Sequence, residues 1–325
     1  MIILWRLYKY KDLLSTHRES SFDPNLEAIN WAQFAYVQNA TDTDYLCNAL
    51  MLFESLERLR SLPERVLLFP SHFDLKSESM EGRLLRKARA EYRVRLMPIE
   101  VQTRPADYTT WTDSYTKLLA FNQTEYKRVL SLDSDAILLQ SLDHLFLWPP
   151  SPVAMPRAYW LDTQTRQLTS ALILLQPSKF EFGRIWEQMQ AAGPAVYDME
   201  ILNQLYRDSA VVLPHRSYIL LTGEFRARNH SNYLGNPEAT WDPDLVIQEA
   251  KYLHFSDWPV PKPWRRSPAR VIQQEQPTCD TDQTSGALAC RSREIWLGLY
   301  EDFVQRRKVQ YSDTCGILKK KPDLE

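Results

Sequence analysis

The sequence predicts an α/β protein in which helices flank a mostly parallel sheet, with a helical extension at the C-terminus. Short apolar strands alternate with helical segments of about ten to twenty residues, a pattern typical of βαβ units with right-handed crossovers. The 325 residues are 44% hydrophobic, which is enough to bury a substantial core and excludes a disordered chain. We expect the main domain to span residues 30–265, between an N-terminal segment (1–29) and the extension (266–325).

The first half of this domain alternates regularly between strands and helices. We predict strands at AQFAYVQ (32–38), RVLLFP (65–70), VRLMPIE (94–100) and KRVLSLDSDAILL (127–139). Helices are predicted at TDTDYLCNALMLFESLERLR (41–60), SESMEGRLLRKARAEY (77–92) and TDSYTKLLAFNQTEY (112–126). The apolar start of the fourth strand, KRVLSL, indicates a strand that is buried in the sheet.

The second half continues the pattern less regularly. We predict strands at PVAMP (152–156), TSALILLQP (169–177), AVVLPH (210–215) and AKYLHF (250–255), and helices at SKFEFGRIWEQM (178–189) and DMEILNQLY (198–206). The polar stretch from Thr222 to Pro243 is expected to be an irregular loop. Beyond it, SREIWLGLYEDFVQRRK (292–308) predicts one amphipathic helix in the extension.

Composition narrows the range of partners. The formal net charge is -2, and no basic block stands out beyond the short tail LKKKPD, so we expect no nucleic-acid partner. The 8 glycines lie too far apart to form a glycine-rich phosphate loop, so a bound diphosphate would need a metal or cationic side chains. The N-terminal apolar run is too short for a membrane span of about 20 residues, so we predict a soluble chain without a span.

Cysteines and glycosylation sequons give information about the cellular compartment of the protein. Cys279 and Cys290 enclose a polar loop that a disulfide could close, and the residues leave open whether it forms. Cys47 lies in a helical pattern and is predicted to belong to the core. The sequons at Asn39, Asn122 and Asn229 are compatible with a secretory lumen.

Asp-x-Asp pairs are the candidate metal sites of this sequence. They occur at Asp42/Asp44, Asp133/Asp135, Asp242/Asp244 and Asp280/Asp282. The first pair stands at a helix entry, where capping explains it, and the last two stand in polar stretches that are typical of solvated turns. Only the second pair directly follows a buried strand, at the edge of the sheet where ligands of α/β proteins bind.

Asp133 and Asp135 have the chemistry of a divalent-cation site. If the backbone stays extended between them, both carboxylates lie on one face, where they repel each other and attract a hard cation. Two other interpretations remain open: both could cap the turn after the strand, or Asp133 could be the nucleophile of a metal phosphohydrolase. The second alternative fits less well, because Ile137 stands at the fifth position of the motif and the pair is mid-chain.

The order of several sequence blocks resembles glycosyltransferase family 8, the glycogenin-like enzymes. YTKLLAFNQTEYKRVLSLDSDAILLQSLDHLF (115–146) is similar to the central block of that family, and TDTDYLCNALMLFESL to its first helix. TSALILLQPS, DMEILNQLY and YLHFSDWPVPKPW (252–264) resemble later blocks in the same order. The run is most similar to the fungal branch called glucose N-acetyltransferase. The resemblance implies a Rossmann-like nucleotide-diphospho-sugar transferase fold over residues 30–265.

The resemblance also implies roles for individual residues. Asp133 and Asp135 would bind Mn²⁺ (or Mg²⁺) with His254 as the third protein ligand, and Ser134 would lie against the nucleotide. The resemblance further implies that Lys117 and Lys262 face the diphosphate, that Asn39, Thr41 and Tyr45 form the uridine side, and that Asp198 and Lys262 are catalytic. A nitrogen ligand beside two carboxylates suits Mn²⁺. The lysines are suited to phosphate oxygens, and the ring of Tyr45 to stacking on uracil. Taken alone, His254 could equally be a strand-end histidine bonded to backbone, and Lys117 a polar helix position.

The implied activity is transfer of a sugar from a UDP-sugar donor to a hydroxyl group of a glycan acceptor, with retention of configuration. N-acetylglucosamine is the expected sugar, in the Golgi lumen; a soluble cytoplasmic protein is the alternative. Met199 stands where glycogenin-like enzymes have Gln, so a two-step displacement through that position is weakened. The interval from His254 to Lys262 is also longer than in glycogenin. A UDP-glucose transferase and an inactive nucleotide-sugar-binding domain therefore remain alternatives, and the sequence predicts neither the acceptor nor the oligomeric state.

Overall fold

The computed structural model describes residues 29–103, 112–193, 196–236, 238–265, 267–281 and 288–311. The described residues from Ala32 onward belong to one compact unit. The predicted N-terminal segment lies outside the described residues except at position 29. The division at residue 265 between domain and extension stays a prediction.

The strands and helices follow the predicted alternation closely. The strands are β1 (Phe34–Asn39), β2 (Glu64–Pro70), β3 (Arg95–Ile99), β4 (Arg128–Leu132), β5 (Ala136–Leu138), β6 (Val153–Pro156), β7 (Leu172–Leu175), β8 (Val211–Leu213), β9 (Leu220–Leu221), β10 (Tyr252–His254), β11 (Asp280–Thr281) and β12 (Leu288–Ala289). The helices are α1 (Thr43–Arg58), α2 (Met80–Tyr92), α3 (Lys179–Ala191), α4 (Asp198–Tyr206), α5 (His215–Tyr218), α6 (Ser231–Leu234), α7 (Pro243–Glu249), α8 (Ala269–Glu275) and α9 (Arg291–Tyr311). Segments of 3₁₀ helix cover Trp31–Gln33, Ser114–Asn122, Asp143–Leu147, Thr163–Thr165 and Thr222–Arg226.

Within the described ranges, seven strands form the main sheet in the order β3-β2-β1-β4-β7-β6-β8. The first four run parallel, while β7 is antiparallel to both of its neighbours. A smaller sheet has the order β5-β10-β9, so the chain passes from one sheet to the other between β4 and β5. The predicted mostly parallel sheet flanked by helices is confirmed.

The core lies on both faces of the main sheet. Every residue of β4 and β7 is buried. β7 (LILL) is therefore a continuous apolar run, while β4 (RVLSL) also buries Arg128 and Ser131. On α1, Leu46, Leu50 and Phe53 are buried at helical spacing, and the side chain of Asp42 starts the helix by accepting the Tyr45 N–H at 2.9 Å.

Four predicted elements differ from the structure. The single strand expected over 127–139 is interrupted, because β4 ends at Leu132 in the main sheet and β5 begins at Ala136 in the smaller sheet. The segment 112–126, expected as an α-helix, contains a 3₁₀ helix over Ser114–Asn122. Its buried residues are mostly consecutive rather than confined to one stripe, because the segment is enclosed on several sides. The expected loop from Thr222 to Pro243 contains a 3₁₀ turn and α6, and the extension contains α8 and a small β11-β12 sheet besides α9.

The disulfide left open by the sequence is present. Cys279, directly before β11, is joined to Cys290, directly after β12. Cys47 is buried in α1 as predicted, but it is also disulfide-bonded, which its helical pattern did not reveal.

Candidate active site

The candidate site lies where β4 ends, beside the end of β1. The chain adds β2 and β3 on one side of β1 and places β4 on the other, so the order of strands reverses at this point. Crevices at such switch points are the usual ligand sites of open α/β sheets. Asp133, Ser134 and Asp135 follow β4 directly, and Asn39 is the last residue of β1.

Backbone hydrogen bonds hold the Asp133–Asp135 tripeptide in place. The Asp133 N–H donates to the carbonyl of Ala171 at 3.0 Å, and the hydroxyl of Tyr252 donates to the carbonyl of Asp133 at 3.0 Å. The Phe255 N–H donates to the carbonyl of Asp135, also at 3.0 Å. The backbone of the tripeptide is therefore held by Tyr252 of β10 and by the residues next to β7 and β10.

His254 joins the two aspartates. Antiparallel pairing of β10 with β5 sets His254 opposite Ala136, the residue that follows Asp135. Its Nε2 lies 3.1 Å from Asp135 Oδ1 and 3.8 Å from Asp133 Oδ2. One ligand atom from each of the three residues lies within 4.8 Å of the others.

This donor set fits a divalent cation. Two carboxylate oxygens and one imidazole nitrogen suit Mn²⁺. The other ring nitrogen of His254, Nδ1, is buried and has no hydrogen-bond partner among the described residues. The imidazole is therefore oriented by its position in β10 and by the carboxylates at Nε2.

Lys117 and Lys262 approach the aspartates from two other directions. Lys117 Nζ lies 2.6 Å from Asp133 Oδ1 and 3.1 Å from Asp198 Oδ2, the first residue of α4. Lys262 Nζ lies 2.7 Å from Asp135 Oδ2 and donates to the carbonyl of Phe255 at 2.5 Å. Each lysine thus neutralises one member of the Asp-x-Asp pair.

The charges of this cluster shift the pKa values in different directions. Burial would lower the pKa of Lys117, but the carboxylates of Asp133 and Asp198 outweigh it and raise the pKa above its usual range. Burial would raise the pKa of Asp135, but His254 and Lys262 hold it well below the ordinary value. For Asp133 burial prevails over Lys117, and the nearby charge of Asp135 raises the pKa further.

The residues assigned to the uridine side lie between the end of β1 and the first turn of the helix α1. Thr41 follows β1, and Tyr45 lies in the first turn of α1. The ring of Tyr45 contacts that of Trp264 edge-on, with centroids 5.8 Å apart. Burial raises the pKa of the Tyr45 hydroxyl, and the negative charge of Asp135 raises it further.

The remaining Asp-x-Asp pairs have structural explanations. Asp42 caps α1 as predicted. Asp242 was expected in a turn but caps α7, where its side chain accepts from the N–H groups of Asp244 and Leu245. Asp280 begins β11, and Asp282 lies outside the described residues.

Sequence reasoning gave no role to Asp257, Ser170 or Arg307. Asp257 is a buried carboxylate that binds Trp296 and Tyr300 of α9, and the carbonyl of Ser170 lies 3.3 Å from Lys117 Nζ. Arg307 is a buried arginine of α9 that contacts Asp44. No local signal distinguishes these residues, because their partners are remote in sequence.

Comparison with known proteins shows the family of the chain. No family model matches it. The protein Glucose N-acetyltransferase 1 of Aspergillus fumigatus is 46% identical over 301 residues, which cover 86% of this chain and 78% of that protein. The chain belongs to the glucose N-acetyltransferase family. The member from Gibberella zeae is 50% identical over 287 residues, 86% of this chain, and the chain spans only 63% of its length.

Solved structures place the glucose N-acetyltransferase family in a known fold. The apo bifunctional glycosyltransferase WbbM matches with a TM-score of 0.52 at 15% identity, over 88% of this chain and 51% of that chain. An active-site mutant of LgtC matches with a TM-score of 0.51 at 16% identity, over 71% of this chain and 90% of that chain. These likenesses confirm the Rossmann-like glycosyltransferase fold. No described helix is long and apolar enough to cross a membrane.

Proposed function

We propose that the chain is a metal-dependent glycosyltransferase that moves N-acetylglucosamine from UDP-N-acetylglucosamine to a hydroxyl group of a glycan. The observation that carries this proposal is the meeting of Asp133, Asp135 and His254 within 4.8 Å at the switch point of the sheet. The names of the curated relatives, Glucose N-acetyltransferase 1, support the choice of sugar.

Asp133, Asp135 and His254 Nε2 would hold Mn²⁺, with Mg²⁺ as the alternative. When bound there, the ion would supply positive charge to the diphosphate of the donor. The side chains of Asp135 and His254 are largely buried, so water screens the charges of this site only weakly. Ser134, between the two ligands, would lie against the nucleotide.

Lys262 and Lys117 would complete the charge balance. When the bond between the sugar carbon C1 and the phosphate oxygen breaks, its electron pair leaves with UDP and negative charge grows on that oxygen. Lys262 Nζ would stabilise this charge after turning from Asp135 toward the phosphate. Lys117 is more deeply enclosed and also binds Asp198, so its role would be to hold Asp133 and Asp198 in place.

Retention of configuration means that the acceptor oxygen must bond to C1 on the same face from which UDP departs. In one route the acceptor oxygen attacks C1 on that face and passes its proton to the departing phosphate oxygen. In the other, the carboxylate of Asp198 attacks C1 from the opposite face as the bond to UDP breaks. The acceptor oxygen then displaces this carboxylate from the first face and passes its proton to the phosphate of UDP. Met199 offers no oxygen for either route, so Asp198 is the residue that separates them.

The Golgi lumen is the compartment we propose. The disulfide between Cys279 and Cys290 and the disulfide-bonded Cys47 support an oxidising environment. The sequon residues Asn122 and Asn229 are exposed and would be accessible to glycosylation there. Tyr45, Thr41 and Asn39 would form the uridine side, so we expect the Asn39 sequon to stay unmodified.

Donor hydrolysis without an acceptor tests the proposal. Incubated with Mn²⁺ and a panel of UDP-sugars, the protein should slowly release UDP, most rapidly from UDP-N-acetylglucosamine, because water replaces the acceptor hydroxyl. A preference for UDP-glucose would favour the glycogenin-like activity. Release of inorganic phosphate without donor preference would refute the transferase, and donor binding without UDP release, even with glycan acceptors present, would indicate an inactive domain.

A further inference from the structure

The segment from Phe255 to Trp264, here the closing segment, carries Lys262 and packs against α9 of the C-terminal extension. We propose that α9 is a built-in clamp that holds the closing segment, and therefore Lys262, in position against Asp135. Asp257 and Arg307 are its two positioning contacts. The inference rests on the proposed role of Lys262, and it gives the extension a function in donor turnover.

Asp257 forms the first contact. Its side chain is fully buried, and it accepts hydrogen bonds from Trp296 Nε1 at 3.0 Å and from the Tyr300 hydroxyl at 2.7 Å, both on α9. The guanidinium of Arg226 lies 3.7 Å away and balances the charge. A buried carboxylate that lost these partners would be strongly destabilised, so this network pins the closing segment to α9. The next residue, Trp258, is 91% exposed and therefore adds little packing, so Asp257 attaches this part of the closing segment to the protein.

Phe255 connects the clamp to the lysine. Its ring packs edge-on against Tyr300 and Phe303 of α9, with centroids 5.2 Å and 5.0 Å away. Its carbonyl accepts from Lys262 Nζ, and its N–H donates to the carbonyl of Asp135. A shift of Phe255 would therefore move the ammonium of Lys262 relative to the carboxylates.

Arg307 forms the second contact, near the other end of α9. This side chain is 2% exposed, and its nitrogens lie 2.5 Å from Asp44 Oδ1 and 2.5 Å from Asn48 Oδ1 of α1. Its guanidinium also lies over the ring of Trp264, 5.9 Å from the centroid, and Trp264 contacts Tyr45. One helix thus contacts both the closing segment and the helix that carries Tyr45.

The alternative is that these contacts stabilise the fold and nothing more. Tyr300→Phe separates the two interpretations, because it deletes one hydroxyl from the Asp257 network and keeps the ring against Phe255. Tyr126→Phe is the matched control. Tyr126 is a buried residue whose hydroxyl also donates to a carboxylate, Glu64 at 2.6 Å, but it precedes β4 at the end of the sheet away from Asp133.

We expect Tyr300→Phe to lower kcat for UDP release by about tenfold, the loss typical of one hydrogen bond to a charged group, while Tyr126→Phe changes kcat by less than about twofold. In a Lys262→Ala background, Tyr300→Phe should have no further effect on kcat, because the group it positions is gone. Arg307→Lys should raise KM for the donor more than it lowers kcat, since Arg307 braces the Tyr45 side.

Amide hydrogen exchange decides the inference independently of activity. Tyr300→Phe should speed exchange across residues 255–264, and Tyr126→Phe should leave that region unchanged at a similar loss of thermal stability. Equal exchange across residues 255–264 in the two variants would refute the clamp, whether or not the wild type releases UDP. Absence of UDP release from the wild type would refute only the proposed function. If UDP is released and Tyr300→Phe lowers kcat equally with and without Lys262, the clamp is refuted and the transferase stands.

Discussion

The ammonium nitrogen of Lys117 lies 3.1 Å from Asp198 Oδ2, although 81 positions separate the two residues. The same nitrogen lies 2.6 Å from Asp133, so one buried cation joins the first residue of α4 to the Asp-x-Asp motif. Burial of this lysine would favour its neutral form, but the paired carboxylates keep it charged. Lys117 is therefore a structural centre of the site as well as a candidate donor-binding residue.

Replacing Lys117 by Met should destabilise the protein and abolish UDP release. Removing one member of a buried ion pair typically costs about 3 kcal/mol or more, and here two carboxylates lose their partner. Urea unfolding measures the loss. Lys87→Met is the control, because Lys87 pairs with Glu91 at a partly exposed position on α2 and should cost less than about 1 kcal/mol. Equal losses in both variants would contradict the central position of Lys117.

Replacing Asp135 by Asn should remove most Mn²⁺ binding and most UDP release while the fold is retained. The change keeps the size of the side chain but deletes one ligand charge beside His254. Titration calorimetry with Mn²⁺ reports the binding, and Asp133→Asn should behave in the same way. Asp242→Asn is the matched control, because Asn caps a helix as well as Asp does. Unchanged Mn²⁺ affinity in both site variants would show that the metal binds elsewhere.

Replacing Lys262 by Ala should reduce UDP release by about 100-fold or more, with a much smaller effect on KM for the donor. A group that stabilises charge on the leaving diphosphate acts mainly in the transition state, and such a loss corresponds to about 3 kcal/mol. Steady-state kinetics with UDP-N-acetylglucosamine tests this. A rise in KM at constant kcat would instead assign Lys262 to ground-state binding.

Asp198→Asn and Met199→Leu should differ in their effect on kcat. Asp198 is buried and bound to Lys117. If its carboxylate attacks C1, Asp198→Asn removes the nucleophile and should lower kcat by at least about 100-fold. Met199→Leu keeps the volume and removes only the sulfur, so activity should remain within about twofold. Mass spectrometry of Asp198 after incubation with donor would detect a glycosyl-enzyme. A loss of less than tenfold in Asp198→Asn, with no adduct, would favour same-face attack.

Glu57 should make the stability of the protein depend on pH below its unfolded pKa of 4.5. Hydrogen bonds from Arg65 and Arg93 lower the pKa of Glu57 in the folded state against the effect of burial. Folding therefore favours the ionised form, a contribution that is complete above pH 4.5 and lost as pH falls through the folded pKa. We expect Glu57→Gln to be less stable than wild type at pH 7, by less than about 1 kcal/mol because the site is partly exposed. The difference should shrink toward about pH 3 in urea unfolding, and a constant difference would contradict the assignment.

Much of the fold could be predicted from local patterns. The alternation of apolar strands and helices predicted nearly every element of the main sheet, because burial on both faces makes β2, β4 and β7 mostly apolar. Errors fell where local periodicity was weak: the 3₁₀ helix around Lys117, the short helices before α7 and the helix cap at Asp242.

The sequence by itself determined that Asp133 and Asp135 follow a buried central strand, which ranked this Asp-x-Asp pair above the other three. It also carried the block order that predicted the family and the partners His254, Lys117, Lys262 and Asp198. Only the tertiary structure decided how these residues meet, because contacts between positions such as Asp135 and His254, 119 residues apart, depend on which strands pair. The same reason explains why Asp257 and Arg307 were missed: buried charged groups reveal their roles through remote partners, and only the packing of α9 brings those partners to them.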